Sequence, residues 1–344
     1  MGGPPVTSSV KEVNSFSYSD VYDGKIRDMR EVLFEVCGFV KILLTDLSGN
    51  RDGSGIFVVP VGSVMKETNV AGSDMDFSVK IETDGGLGRC ARRFQNRDHQ
   101  IFHIKDCTLE FKSYRYEKKK SMHVLTMKLD YKQGLIQFTC DVDVVDQPGF
   151  SSLYNTFFVR YYTGQFIGVG DVMKSIKHRA SMQNINDSQA GTLLGFGWEL
   201  LTIIALVQLG KIPVIDPACF NVSLDMFNLT SYADNIHDVD YHIAILGQDD
   251  QMNTIMHPQF SELEVLCQIS EILTAREDGR QLVIKYRDAD IQPRLPNAAF
   301  IIVDPCVPPD SLGNNVARAV QNQRLGRIRL GLQIIIKELA KPRR

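Results

Sequence analysis

The feature that most constrains the fold is a pair of alternating aspartates, Asp74 and Asp76, which begin a β-rich run ending at Glu82. Because successive side chains of a strand point to opposite faces, we expect both aspartates to project from the same face. A third aspartate, Asp141, lies in another β-rich run over residues 135–145. Carboxylates that share a buried site repel each other, and their burial is costly unless a cation lies between them. The pattern therefore predicts a sheet that carries an acidic, cation-binding site.

The chemistry of these acids favours hard divalent cations. Carboxylate oxygens without nitrogen or sulfur ligands suit Mg²⁺ or Mn²⁺. We therefore predict that Asp74, Asp76 and Asp141 are the catalytic residues and the ligands of a pair of metal ions. Asp143 lies on the same strand face as Asp141, so it is the alternative third ligand.

A Gly-Ser turn precedes the first acidic strand. Gly62 and Ser63 end the β-rich run that starts at residue 56. The backbone N–H groups and the hydroxyl of such a turn can cradle phosphate oxygens. Ser73, directly before Asp74, adds another hydroxyl. Alternating acids alone more often mark an exposed strand, and it is their combination with the turn and the later acidic strand that favours a phosphate-binding site.

Periodicity along the chain predicts an α+β protein. Residues 26–47 have apolar positions at helical spacing, and residues 151–209 show mainly helical patterns. Between them, residues 56–145 are predicted to form a small mixed sheet with little helix. The expected strands cover residues 56–63, 74–82, 99–112, 121–131 and 135–145. Residues 210–344 mix loops and helices and include one strand-like run at 298–303.

Composition places the chain among ordinary globular proteins, with 44% hydrophobic and 23% charged residues. The seven cysteines show no CxxC spacing, so we expect neither a disulfide framework nor a zinc site, and a reducing compartment. We therefore expect a cytoplasmic protein, with the nucleus and the mitochondrion as alternatives. The apolar run 192–209 contains Glu199 and is short for a membrane span, so we expect a buried helix and no membrane association.

Charge is distributed unevenly behind a net value of −3. Residues 89–120 contain ten Lys and Arg against four Asp and Glu, and residues 317–344 contain eight against one. Residues 212–275 contain ten acids and no Lys or Arg. A single run of this kind is usually solvated surface. Two basic segments in an otherwise acidic protein favour a surface that binds a polyanion.

In these motifs the chain resembles the terminal nucleotidyltransferases of the DNA polymerase beta-like superfamily, the noncanonical poly(A) polymerases and terminal uridylyltransferases. The family pattern is GS followed by SDxD ten residues on, and Ser63 and Ser73 have that spacing. The family's third acid follows a cysteine in a strand, as Asp141 follows Cys140. The resemblance implies a mixed-sheet nucleotidyltransferase domain and a mainly helical central (poly(A) polymerase-associated) domain, with the nucleotide in the cleft between them.

The domain boundaries implied in this way are a disordered lead over residues 1–20, a catalytic domain over residues 48–147, and a helical domain. The helical domain would consist of residues 21–47 and 148–344 and would bind the base and the ribose.

The resemblance also assigns roles within the helical part. Asn155 and Thr156 match the segment that holds the ribose, Lys177 the lysine that holds the triphosphate, and Phe196 the aromatic that stacks on the base. The family's D-P and N-V-G/A-R signatures occur near the end of the chain. The residues expected to bind the nucleotide are Gly62, Ser63, Ser73, Asn155, Thr156, Lys177, Phe196, Asp304 and Asn314.

Four departures from the family pattern affect the phosphate and base sites. Glu67 replaces a glycine of the turn, Ser181 replaces a second triphosphate lysine, and Gly195 replaces a serine. The loop between the D-P and N-V-A-R signatures is four residues longer than usual. We expect weaker triphosphate binding, with Lys174 or Arg179 compensating for the missing lysine.

The activity implied by the resemblance is template-independent addition of nucleotides to the 3′ end of single-stranded RNA. Asn314 stands where uridylyl enzymes of the family often have histidine, which favours ATP slightly over UTP as the substrate. A partner protein is expected to supply RNA specificity. The alternatives are another enzyme of the superfamily, such as a 2′-5′ oligoadenylate synthetase-like protein, and an inactive scaffold in an RNA-processing complex.

Overall fold

The computed structural model describes residues 20–49, 55–70, 73–82, 86–94, 101–104, 107–119, 122–133, 136–145, 151–217, 255–275, 282–287, 290, 300–306, 315–320 and 322–342. The predicted lead falls almost entirely outside these residues, and so does Asn314.

A six-stranded mixed sheet forms the first part of the chain, with the strand order β1-β2-β6-β5-β4-β3. The strands are β1 (Ile56–Val61), β2 (Met75–Ile81), β3 (Ile101–Ile104), β4 (Cys107–Lys119), β5 (Met122–Gln133) and β6 (Ile136–Val145). Strands β2 and β6 are parallel, and the four other pairings are antiparallel. The α+β class with a mixed sheet is therefore confirmed.

The single strand predicted over residues 99–112 is wrong. Strands β3 and β4 pair antiparallel with Ile104 opposite Cys107, so the chain reverses within the predicted strand. The polar pair Lys105 and Asp106 separates the two β-rich runs. A connection of two residues is typical of β-hairpins, and the alternating pattern on either side concealed it.

Helix α1 (Asp20–Ser48) packs against the sheet. Its side chains Val36 and Leu44 are buried in the same core as Phe77 and Val79 of β2. The assignment of residues 21–47 to the helical domain is therefore wrong, because the apolar stripe of the helix covers one face of the sheet. Helix α3 (Gly86–Phe94) lies beside α1. Asp76 lies on the other face of β2 and is partly exposed.

Helices dominate the described residues after 150, as predicted. They are α4 (Ser151–Gln165), α5 (Val169–Met182), α6 (Gly195–Gln208), α7 (Glu262–Thr274) and α8 (Asn322–Leu339). A small parallel sheet of β7 (Val283–Ile284) and β8 (Ile301–Ile302) accompanies them, and β8 lies within the predicted run 298–303. Trp198 and Phe158 are fully buried at the centre of this second core.

Helix α6 is buried over most of its length, which confirms the prediction of a core helix there. No helix of the described residues has both the length and the apolar character needed to cross a membrane.

Strand β1 joins the two cores. Its residues Ile56 and Val58 lie in the core of the sheet, whereas Val59 and Val61 lie in the helical core. The short helix α2 (Gly62–Met65) begins directly after β1 and contacts both β2 and α4. The Gly-Ser turn is therefore placed at the junction of the sheet and the helical part.

Candidate active site

Two of the predicted acids face each other across the only parallel strand pair of the described sheet. Asp76 of β2 is the register partner of Asp141 of β6. Asp74 lies directly before β2, two residues from Asp76 and therefore on the same side. Lys128 of β5 is the register partner of Asp141 on its other flank. The sheet therefore brings Asp74, Asp76 and Asp141 to one face, beside a single lysine.

The acidic cluster is short of positive charge. Burial, followed by the nearby Asp141 carboxylate, raises the pKa of Asp76 to about 7, although Lys66 opposes the shift. Burial and then Asp141 also raise the pKa of Asp74. Like charges in a poorly solvated site disfavour ionisation, and an added cation would reverse that effect. The chain itself therefore supplies less positive charge than these three carboxylates carry negative charge.

Lys128 is the nearest cation on the sheet side. Its ammonium lies 3.2 Å from Asp141 Oδ1. Burial by itself would lower the pKa of Lys128, but Asp141, together with Asp74 and Asp76, raises it. Within the described part of the chain, no three His, Cys, Asp or Glu side chains are already arranged to enclose a metal ion. Asp141 is instead ion-paired with Lys128.

Asp143, the alternative third ligand, lies two residues further along β6 than Asp141. It is the partner of Ser78 rather than of Asp76. The Thr126 hydroxyl donates a hydrogen bond of 2.6 Å to Asp143 Oδ1, and the residue is exposed. The register therefore favours Asp141 over Asp143 as the acid that faces Asp76.

The Gly62 turn fits tightly against Asp76. Gly62 has a φ of +76°, and a Cβ added there would lie 2.0 Å from Asp76 Oδ2. Its N–H donates to the Thr156 hydroxyl at 3.1 Å, and that hydroxyl donates in turn to the Ser152 carbonyl at 2.7 Å. Only glycine allows this close approach. Thr156 is buried and lines neither of the cavities described below, so it supports the turn from behind.

The rest of the turn keeps its shape without the family glycine. Glu67 adopts the left-handed φ of 59° that such a glycine would favour, and its carboxylate is ion-paired with Arg160. Further along, the Val70 N–H donates to the Ser73 hydroxyl at 2.9 Å. That bond holds Ser73 beside Asp74 at the wall of the larger cavity.

A buried ion network forms the helical wall of the cleft. Glu199 of α6 accepts hydrogen bonds from Lys177 of α5 at 2.7 Å and from Lys66 at 3.0 Å. The Thr68 hydroxyl donates to the same carboxylate at 2.5 Å. Burial by itself would raise the pKa of Glu199, but Lys177 and then Lys66 outweigh it and hold the pKa at about 2.

Two adjoining cavities occupy the cleft. The larger measures about 510 Å³ and is lined by Ser63, Ser73, Asp74 and Lys177, among others. The smaller measures about 260 Å³ and is lined by Asp141, Asn155 and others. The residues that line both cavities are Gly62, Lys66, Asp76 and Phe196. A volume of several hundred Å³ suits a ligand of nucleotide size.

Phe196 stands at the boundary of the cavities. It is the second residue of α6 and is partly buried against the helical core. The Lys66 ammonium lies 4.4 Å from the centre of its ring, within the range of a cation–π contact. Phe196 therefore lines the cleft and is not enclosed in the core.

Asn155 and Asp304 lie on the side of the smaller cavity. The Asn155 amide donates to Asp304 Oδ2 at 3.1 Å. Its Oδ1 is buried and has no hydrogen-bond partner among the described residues. Burial raises the pKa of Asp304 to about 6, although the Cys306 N–H and Asn155 oppose the shift. Asp304 lines neither cavity, so it orients Asn155 instead of meeting a ligand there.

The residues that the sequence analysis missed are Lys66, Glu199 and Lys128. The signals were weak: Lys66 follows the Gly-Ser turn, and Glu199 is an acid within an apolar run. The compensation expected from Lys174 or Arg179 is not seen, because neither lines a cavity. Arg179 binds Glu262 at 2.7 Å, and Lys174 lies 3.6 Å from Asp171 on the surface of α5.

A mixed sheet with paired aspartates, a Gly-Ser turn and a helical wall across the cleft together define a nucleotidyltransferase fold. Comparisons with known proteins agree at the level of structure, although no protein-family model and no curated protein matches the sequence.

The solved structures that match include the Cid1 poly(U) polymerase with magnesium and 3′-dATP, at a TM-score of 0.59 and 17% identity over 93% of this chain and 90% of that chain. A mutant of the same polymerase bound to MgATP matches at a TM-score of 0.59 and 18% identity, over 93% and 91% of the two chains. A cytoplasmic RNA terminal U-transferase matches at a TM-score of 0.56 and 17% identity, over 94% and 95%. The fold implied by the resemblance is therefore confirmed.

Proposed function

We propose that this chain is an RNA nucleotidyltransferase that adds nucleoside monophosphates from an NTP to the 3′ end of single-stranded RNA without a template. The observation that carries the proposal is the register of β2 and β6, which sets Asp76 opposite Asp141 beside the Gly62 turn. The neighbouring cavities have an aromatic ring and buried lysines on their opposite wall. The solved structures of the same fold include a poly(U) polymerase and a terminal U-transferase.

The position of the nucleotide follows from the two cavities. The triphosphate would lie in the larger one, between the Gly62-Ser63 turn and the Lys177 ammonium. The base would stack on Phe196, since an aromatic ring accepts the face of any base. The ribose would meet Asn155, whose free Oδ1 can accept a hydrogen bond from a sugar hydroxyl. The α-phosphate would then lie near Asp76, where both cavities meet.

The donor set at the acids fits a divalent metal. Asp74, Asp76 and Asp141 offer only carboxylate oxygens, which Mg²⁺ and Mn²⁺ prefer. Asp141 Oδ1 is buried with no hydrogen-bond partner among the described residues, apart from its ion pair with Lys128. We propose that these three residues would hold two Mg²⁺ or Mn²⁺ ions. Such ions would lower the pKa of the RNA 3′ hydroxyl and neutralise charge on the phosphates during its in-line attack on the α-phosphate, in which pyrophosphate is the leaving group.

The choice of base and of RNA rests on the sequence. The Asn314 amide can pair with the edge of adenine or of uracil. The resemblance to adenylyl-type members of the family at this position favours ATP slightly over UTP. RNA would be held mainly by phosphate contacts from the basic segments, with strong salt dependence and little sequence selectivity. A partner protein would then supply the choice of target, in the cytoplasm or in another reducing compartment.

The proposal is tested by incubating the protein with a labelled single-stranded RNA, Mg²⁺ or Mn²⁺, and each NTP separately. We expect a ladder of extended RNA with ATP or UTP, and none with the Asp141→Asn variant. The matched control is Asp171→Asn, because this surface acid of α5 has a side chain 69% exposed and should leave extension unchanged. If the folded protein fails to extend RNA with every one of the four NTPs, the proposal is overturned. Extension at a 2′ hydroxyl would indicate the synthetase-like alternative.

A further inference from the structure

Lys66 occupies the meeting point of the two cavities. It is one of four residues that line both, and its side chain is only 8% exposed. Its ammonium is held between the Glu199 carboxylate at 3.0 Å and the ring of Phe196 at 4.4 Å. Burying a lysine ammonium at the wall of a cavity costs free energy of solvation. A negatively charged ligand in the cavity would offset that cost.

Glu199 fixes the relative position of two lysines. Its Oε1 binds the Lys177 ammonium and its Oε2 binds the Lys66 ammonium. Lys177 also donates to the Thr68 carbonyl at 2.9 Å. These contacts hold both lysines in the lining of the larger cavity, which Asp74 and Asp76 also line. The carboxylate thus acts as a clamp that sets the spacing of the two ammonium groups.

The charge of this network is not balanced. Two ammonium groups share one carboxylate, so the network of Lys66, Lys177 and Glu199 carries one net positive charge. This positive charge borders the larger cavity. The other charged residues that line the cavity are the acids Asp74, Asp76 and Asp187. A polyphosphate placed there would neutralise the excess, and Lys66 can keep Glu199 while donating another hydrogen to a phosphate oxygen, since an ammonium has three donors. Lys177 also donates to the Thr68 hydroxyl at 3.4 Å, and a phosphate oxygen would take the place of that long contact.

Other cations do not serve this position. Ser181 lines the larger cavity where the family pattern has a second lysine. Arg179 is ion-paired with Glu262, and Lys174 is ion-paired with Asp171; neither lines the larger cavity. Among the described residues that line the larger cavity, Lys66 and Lys177 are the lysines, and no arginine lines it.

We infer that Lys66 is the second triphosphate-binding cation of this protein and that Glu199 is the positioning residue that holds Lys66 and Lys177 as a pair. This inference rests on the proposed function, since it names the residues that bind the triphosphate at the same site. It also implies that Lys66 takes over the task of the lysine that Ser181 replaced, from a different element of the fold.

Equilibrium binding of ATP and of AMP to the full chain, with Mg²⁺ and without RNA, tests the inference. The variants are Lys66→Met, Lys177→Met and Glu199→Gln. Lys174→Met is the matched control, because this lysine of α5 lines neither cavity. We expect Lys66→Met to raise the dissociation constant for ATP by roughly tenfold to a hundredfold, the effect of a hydrogen bond to a charged group. The constant for AMP should change by less than about threefold.

Glu199 is tested by the ratio of ATP to AMP affinity. A positioning role predicts that Glu199→Gln lowers this ratio and raises the KM for the NTP more than it lowers kcat, whereas a merely structural role predicts equal loss of ATP and AMP binding. Lys66→Arg keeps the charge and should retain the ratio of ATP to AMP affinity within a few-fold. This variant provides a test if Glu199→Gln does not fold.

The failures of the two proposals can be told apart. If the wild-type protein extends RNA but Lys66→Met binds ATP as tightly as wild type, or weakens ATP and AMP alike, the inference on Lys66 is overturned and the proposed function stands. If the wild-type protein binds ATP no better than AMP and extends no RNA, the proposed function itself is overturned.

Discussion

Asp76 and Glu199 are carboxylates on two walls of one cleft, and the protein treats them in opposite ways. Asp76 is partly buried with acids around it, and burial with Asp141 raises its pKa to about 7. Glu199 is buried, yet Lys177 and Lys66 overcome the effect of burial and hold its pKa at about 2. The wall with Asp76 therefore has more acids than cations, and the wall with Glu199 has more cations than acids.

The two walls differ in what compensates their charge. Glu199 is neutralised by the chain itself, and its network with Lys66 and Lys177 keeps one net positive charge. Asp76, Asp74 and Asp141 share Lys128 alone as a nearby cation of the sheet. A nucleotide complexed with divalent metal would satisfy both walls at once, with the metal at the acids and the phosphates at the lysines.

The largest effect is expected for Asp76→Asn, which removes the acid at the centre of the uncompensated wall. RNA extension should fall by about a thousandfold or more, because a catalytic metal contributes several kcal/mol and each ~1.4 kcal/mol is a factor of ten. In EDTA at pH 8 the same variant should be more stable than wild type, by about 2 kcal/mol, since a repelled charge is removed. Single-turnover extension and urea unfolding measure the two effects. A variant that is both inactive and less stable would contradict the comparison.

Glu199→Gln should act in the opposite direction on stability. It leaves two buried ammonium groups without their carboxylate, and breaking a buried ion pair from one side costs about 3–5 kcal/mol. Urea unfolding in EDTA measures this loss. Replacing Asp171, an exposed acid of the same helical part, with Asn is the control and should cost less than about 1 kcal/mol. Equal small losses for the two variants would show that the network is not the stabilising element described here.

Gly62→Ala should damage the acidic wall through its backbone. The added Cβ would collide with Asp76 Oδ2 at 2.0 Å, at a residue with a φ of +76°. Displacing a reacting group by about 1 Å can cost on the order of a hundredfold in rate, so we expect a loss of that size in kcat. Steady-state extension of RNA provides the measurement. Activity within a few-fold of wild type would mean that the turn tolerates a shift of Asp76.

The pH dependence of stability should distinguish the two walls. The pKa of Asp76 is raised from 3.8 to about 7, so the folded metal-free protein binds a proton that the unfolded chain releases. Its contribution is present at low pH and is lost as the pH rises toward 7, with a slope of at most about 1.4 kcal/mol per pH unit. The pKa of Glu199 is lowered from 4.5 to about 2, so its contribution is lost only below pH 4.5.

Urea titrations between pH 5 and 8 measure this dependence. In EDTA, wild type should lose stability relative to Asp76→Asn across that range, and Mg²⁺ should reduce the difference. Parallel curves for the two proteins would show that Asp76 ionises normally.

The smallest effect is expected for Glu67→Gly, at the second turn with positive φ. A non-glycine residue in the left-handed region costs about 1–2 kcal/mol, whereas glycine loses more entropy on folding and the Arg160 ion pair would be lost. These terms nearly cancel, so stability should change by less than about 1 kcal/mol. Thermal unfolding measures the change in stability. A large loss of stability would show that the turn depends on the Glu67 side chain, contrary to the near-cancellation described here.

Local sequence patterns were sufficient for the acidic wall and insufficient for the basic one. The alternation of Asp74 and Asp76 is a local signal of strand geometry, so their common face could be predicted. Lys66 and Glu199 are 133 residues apart, and no periodicity reports such a pairing. The packing of α1 on the sheet was missed for the same reason, because an apolar stripe shows that a helix is buried but not what covers it.

The most direct test of the account is the number of Mn²⁺ ions that the protein binds at pH 7.5 in the presence of ATP, measured by electron paramagnetic resonance. The account predicts that wild type immobilises about two ions, that Asp76→Asn and Asp141→Asn lose at least one, and that Asp171→Asn matches wild type. Equal Mn²⁺ binding by wild type and by both site variants would contradict it, since Asp76 and Asp141 would then not be ligands of the bound ions.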